Sequence, residues 1–437
     1  MTNARLWIGF LLAFYMIVGR WSLARINDEF ETNYYLQPRL WAVIALAAVV
    51  LIDQSSARWR KARRNPDRPR MGALTAAMIA YFVYLIITAS WAPDSEMAEK
   101  KAFDQVLSAA VAGLVFLAFR GDNAESRRTE FWKGFAILAG LLALASLVGT
   151  QSERFRALGG GPNTFGRNMG LMVLSGLYLS RVYRTKILWS IWWLTAAVGV
   201  LLVLLSGSRG AMLSLAVSAS VFQVIDRQPL SKKVVLFAAA SLVGAAIVTQ
   251  TEIGVRAQEM FVGRVLHLTV EQQHTSGRAE IWAESFRIGM ESPIFGAGLN
   301  AVQAEIMRYP HNIFLEAFGE GGLVGLALLL LVLFLGGIRL VRIRRRLNTA
   351  TVAAFVHTLV AAQFSGNMFD SRGVFLLLML GIIPTSLQAT VKKGKRATAG
   401  ALQSPHVGSS LAGTVSAQAA WPIAARETLS AEAANRH

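Results

Sequence analysis

The residues of this chain best suited to chemistry are one histidine and a few arginines beside apolar runs. His311 follows Pro310 and opens the run "HNIFLEAFGEGGLVGLALLLLVLFLGG". A helix starting there presents unpaired N–H groups and a partial positive charge, a setting that attracts anions. The same setting keeps an imidazole neutral, with a lone pair that can take a proton. Asn312 is the next residue and belongs to the same polar triplet. Arg209 lies in "LLSGSRGAMLSL", flanked by Ser206, Gly207, Ser208 and Gly210, small residues that let backbone approach a ligand closely. Arg278 opens the stretch "RAEIW", where a cation opposes the helix dipole unless an anion binds. The blander alternatives are a helix-capping histidine, an arginine snorkelling to an interface and a solvated charge.

Weaker candidates flank these. "GGGPNTFGRNMG", Gly159 to Gly170, reads as a glycine-rich turn that offers Asn163, Arg167 and Asn168 to a sugar or a diphosphate, or as a plain re-entrant turn. Asp370 and Arg372 in "GNMFDSRG" suggest a local ion pair, and His357 in "AAFVHTLVAA" suggests a core histidine. A neutral histidine beside several arginines suits an anionic, lipid-anchored substrate, most simply a diphosphate. The histidine would act as general base on a hydroxyl, and the arginines would neutralise the leaving diphosphate. The chain has no cysteine. It also lacks HExxH, GxxxxGK[ST] and D-x-D, so no metal, no cofactor and no ATP-driven step is expected.

The elements that must position these residues are membrane helices. The 437 residues are 54% hydrophobic and 16% charged, well below the roughly 25% charged residues of a soluble domain. Apolar runs long enough to span a bilayer recur along the chain. An all-α polytopic protein is expected, with about twelve spans, near 6–24, 34–52, 71–91, 102–119, 131–149, 165–180, 187–205, 210–225, 234–250, 313–338, 350–369 and 373–390. The organisation follows: helices one to nine over 1–250, a loop over 251–312, helices ten to twelve over 313–390, and a disordered tail over 391–437.

The formal charge of +18 concentrates in short loops. Arg58 to Arg70, Arg339 to Arg346 and Lys392 to Arg396 fall on one side of a twelve-span chain. The positive-inside rule puts both termini in the cytoplasm and residues 251–311 on the far side, and the charge needs no nucleic-acid partner. Within that loop two short helices are expected. The first is capped by Ser276 and stopped by Pro293; the second has Asn300 and Gln303 as a capping box and stops at Pro310.

The motifs resemble those of the O-antigen ligase family. Arg-x3-Leu appears as Arg209 to Leu213 and His-x10-Gly as His311 to Gly322, with "SGRAEIW" and "SPIFGAGLN" between them. The likeness runs from about Gly159 to Arg372. It implies a metal-independent, inverting glycosyltransferase of a Gram-negative inner membrane, working at the periplasmic face among membrane lipids. The donor would be O-antigen on undecaprenyl diphosphate, the acceptor a sugar hydroxyl of lipid A-core, and the product lipopolysaccharide. By the same resemblance His311 is the base, Arg209 and Arg278 clamp the diphosphate, and Asp370 orients or balances them. O-antigen polymerases and protein O-oligosaccharyltransferases share this architecture and rank second and third. A transporter or flippase is the reading from a different class, and it would want charges at the midplane of the spans.

Overall fold

The computed structural model describes residues 2–18, 37–55, 72–119, 123–148, 155–157, 160–226, 255, 259, 262 and 277–383. The expected ninth span, the basic loop from Arg58 to Arg70, Ser276 and the tail from 391 lie outside the described residues.

Every regular element among the described residues is a helix. In chain order they are α1 (Thr2–Ile17), α2 (Pro38–Ser55), α3 (Gly72–Ile87), α4 (Ser95–Ala118), α5 (Ala124–Val148), α6 (Pro162–Val182) and α7 (Lys186–Leu205). There follow α8 (Arg209–Ile225), α9 (Arg278–Glu291), α10 (Ala301–Ile306), α11 (Ile313–Arg342), α12 (Thr349–Ala361) and α13 (Arg372–Gly381). Among the described residues six stretches are long and apolar enough to cross a membrane: α2, α3 with the 3-10 turn after it, α4, α5, α7 and α11. Four shorter apolar helices accompany them, and α6 carries polar residues in its first turns. Large apolar side chains stand exposed along these helices, among them Ile52, Leu144, Leu147, Ile187, Leu194 and Phe334. Such a surface is stable against lipid and not against water. The chain is a membrane protein.

Local sequence explains the helix starts. Asp94 caps α4 by accepting from the Met97 N–H, Ser208 caps α8 through Ala211, and Asn348 caps α12 through Thr351. Pro162 begins α6, where a missing N–H costs nothing. Two expected caps differ. Gly277, in the left-handed region, precedes α9. Asn300 precedes α10 with φ of 67° and makes no side-chain cap, so the capping box does not form. α10 is also short, ending at Ile306, well before Pro310.

The helices alternate in direction, so two ends of the bundle can be told apart by their contacts. At one end the start of α5 meets the ends of α2, α4 and α13: Arg127 bonds Asp53 and the Ala118 carbonyl, and Arg128 bonds the Ile383 carbonyl. Arg181 and Asp226 pair the ends of α6 and α8. At the other end Arg372, opening α13, donates to the Tyr15, Met16 and Val18 carbonyls at the end of α1. Arg39 of α2 pairs with Asp104 of α4 at 2.9 Å. Arg39 and Arg372 each stack on the Phe369 ring, at 4.6 and 4.4 Å.

α11 is broken. Gly322 has φ 61° and ψ −159°, backbone that only glycine adopts readily. Around the break the chain pairs with the segment after α9 in place of its own turns. The Leu323 and Val324 N–H groups donate to the Pro293 and Ile294 carbonyls, and those of Ala297 and Gly298 donate to the Gly319 and Glu320 carbonyls. The glycines here thus admit a loop.

Candidate functional site

His311, Arg209 and Arg278 come from separate stretches of sequence, and packing brings their segments to the same end of the bundle. Trp282 lies one turn beyond Arg278 on α9, so the two share a face. Its indole N–H donates to the Pro310 carbonyl at 3.0 Å, which fixes α9 against the residue before His311. Arg209 is the first residue of α8. Gly210, next to it, abuts Phe364: a Cβ there would stand 2.8 Å from the Phe364 Cβ. Phe364 leads into the turn that holds His311, because the Gly366 N–H donates to His311 Nδ1 at 3.0 Å.

The electrostatics agree with this convergence. The Arg278 guanidinium lies below its ordinary pKa, first because it is partly buried and second because the Arg209 charge acts on it. Two cations within each other's field repel, and an anion bridging them removes that cost. Arginine's planar fork suits the oxygens of a phosphate.

The start of α11 differs from expectation. His311 is not in the helix: its φ is 56°, and Asn312 is the cap. The N–H groups of the first three helical residues, which could have met an anion, are occupied, and the Glu316 N–H makes the first intrahelical bond. Ile313 donates to the Ala362 carbonyl, Phe314 and Leu315 to the Asn312 side chain at 3.0 and 3.2 Å, and Glu316 to the Asn312 carbonyl. Asn312 is therefore a capping residue. The bond from Gly366 also sets the histidine's chemistry. With Nδ1 accepting, the neutral ring carries its proton on Nε2 and presents a donor there.

The supporting candidates fall on helix and turn in an unexpected way. Asn163, Arg167 and Asn168 are in the first turns of α6 and not in a glycine-rich turn, because the helix starts at Pro162. Arg167 is buried and donates to the Ser365 and Asp370 carbonyls at 2.6 and 2.9 Å. Asp370 closes its own turn by accepting from the Asn367 N–H, and Arg372 binds carbonyls as described above. His357 is a core histidine, with Nε2 3.1 Å from the Arg167 carbonyl.

The sequence reading missed Lys101. Its ammonium sits between Glu316 and Glu320 on the first two turns of α11, bonded to Glu316 and 2.5 Å from Glu320, all three side chains buried. The signal was present: Glu316 and Glu320 are four apart on one helix face and demand a cation. Lys101 went unread because α4 begins at Ser95, before the apolar run does. Among the described residues no three His, Asp or Glu side chains gather as a metal site would require.

Residues 193–330 match a family model described as O-antigen ligase. The match contains Arg209, Arg278, His311 and Gly322, and stops short of Arg167 on one side and Asp370 on the other. The resemblance read from the motifs therefore holds over this stretch, which carries the domain of the O-antigen ligase family, a glycosyltransferase type that includes ligases and polymerases. Among curated proteins none matches the chain.

Proposed function

We propose, from the O-antigen ligase domain as premise, that this protein transfers O-antigen polysaccharide from undecaprenyl diphosphate to a sugar hydroxyl of lipid A-core. The observation that carries the reading is the convergence of Arg209 and Arg278, inside the matched stretch, on the segment that holds His311. The site's end of the bundle is opposite Arg339 and Arg342, in the last turn of α11. With those basic residues cytoplasmic, the site faces the periplasm of an inner-membrane protein, where both lipid-linked substrates present their sugars.

In this reading the acceptor oxygen bonds to the anomeric carbon from the face opposite the diphosphate, so the anomeric centre inverts. The carbon–oxygen bond to the diphosphate breaks and its electron pair leaves with the diphosphate. Arg209 and Arg278 neutralise that charge. His311 adds an Nε2–H bond to the departing oxygens, and the hydroxyl proton passes to water on the acceptor's own side of the anomeric carbon. This replaces the general base expected from sequence. A base needs a lone pair at Nε2, and the ring held by Gly366 has its lone pair at Nδ1.

Deletion of the gene followed by a lipopolysaccharide gel tests the function. A ligase deletion leaves bare lipid A-core and O-antigen stranded on its lipid carrier. A core bearing a single repeat would instead identify a polymerase, and cargo trapped in the cytoplasm would identify a transporter.

A further inference from the structure

Arg167 lies outside the matched domain and on a different helix from every group assigned above. It nonetheless connects to His311 in two steps. Its guanidinium donates to the Ser365 carbonyl at 2.6 Å and to the Asp370 carbonyl at 2.9 Å. Those carbonyls bracket the turn between α12 and α13. Inside the bracket the turn is braced by reciprocal bonds: the Asn367 N–H donates to Asp370 Oδ2 at 3.1 Å, and the Asp370 N–H to Asn367 Oδ1 at 3.0 Å. The residue after Ser365 is Gly366, with φ 81°, and its N–H is the one that meets His311 Nδ1. A Cβ at Gly366 would run into the Asp370 carboxylate. Arg167 is itself held, since its carbonyl faces His357 Nε2 and its side chain is buried.

We infer that Arg167 is a positioning residue for His311: by gripping both ends of the 365–370 turn it aims the Gly366 N–H at Nδ1 and so fixes the imidazole as an Nε2–H donor. A buried guanidinium requires several acceptors, and a turn of backbone carbonyls supplies them without a carboxylate. The arrangement lets a charged side chain set a neutral ring's tautomer through the backbone of the turn. A lysine cannot reproduce it, because one ammonium does not span two carbonyls in a planar fork. The inference rests on the proposed role of His311 as a donor.

The experiment uses full-length protein in detergent, with ¹⁵N-labelled histidine. The His311 ring signals are assigned by their loss in His311→Gln. In the wild type, Nδ1 should resonate as an unprotonated, hydrogen-bonded nitrogen and Nε2 as a protonated one. Arg167→Lys and, independently, Gly366→Ala should convert these into signals of mixed tautomers. In both variants turnover should fall by about ten- to a hundredfold, the scale of a misplaced reacting group, with donor affinity unchanged. The Gly366 variant disturbs the turn without touching Arg167, so it decides the matter if the arginine variant fails to fold. A wild-type spectrum with the proton on Nδ1 would refute the donor role itself. A wild-type spectrum as expected, with either folded variant keeping both the tautomer and the turnover, would refute the role of Arg167 alone.

Discussion

At the scale of single residues, the chemistry divides between charge and tautomer. Arg209→Ala should raise the apparent donor KM and lower turnover, and Arg209→Lys should also be impaired, since a point charge replaces a planar fork. Steady-state kinetics with lipid-linked donor and purified enzyme check this; wild-type ligation by the alanine variant would reduce Arg209 to an anchor. His311→Ala should lower turnover by about 10²–10³-fold, the usual loss of one transition-state donor. His311→Gln should recover part of that rate, because a carboxamide N–H can donate where Nε2–H did. A glutamine variant as slow as alanine would speak for proton removal by the ring. The three main candidates stood out in the sequence because histidine and arginine are rare beside apolar runs and their neighbours are small and polar. The tautomer was not legible, because it depends on an N–H fifty-five positions away in sequence.

At the scale of elements, the first turns of α11 are held by charge as well as by packing. Lys101 joins α4 to α11 through two buried carboxylates. Lys101→Met should leave both carboxylates without a counter-ion and cost about 3–5 kcal/mol, the usual loss on breaking a buried pair from one side. Adding Glu316→Gln and Glu320→Gln should restore most of it, since the uncompensated charges are then gone. Thermal unfolding in detergent measures both; a single variant as stable as the wild type would make the cluster incidental. Helix identity was legible from the length of the apolar runs in most described elements. Helix ends were less so. α4 and α5 each begin seven residues before their expected spans, and α12 stops at Ala361 where a span to 369 was expected. Hydropathy registers where lipid begins, whereas the helix begins where Asp94 caps it. The end of α12 is set by the turn that Arg167 grips, a contact with no local signature.

At the scale of the whole molecule, the two ends of the bundle carry different chemistry, and the expected topology assigns each to a compartment. Tags at Gln272 and at His437 should report opposite sides of the membrane, the first accessible to external protease once the outer membrane is permeabilised. Protection of both tags would overturn that orientation. The break at Gly322 also measures depth. α11 has 30 residues, about 45 Å of helix, and the hydrocarbon of a bilayer is about 30 Å thick. The 20 residues from Leu323 to Arg342 are enough to cross it alone. The segment before the break, stitched to the chain around Ile294, is then a ledge standing at headgroup height. Glu316 and Glu320 lie within that ledge, and Lys101 reaches them there from α4. A lipid-borne diphosphate would reach the arginines at the level where its own membrane already holds it, without being lifted out or drawn in.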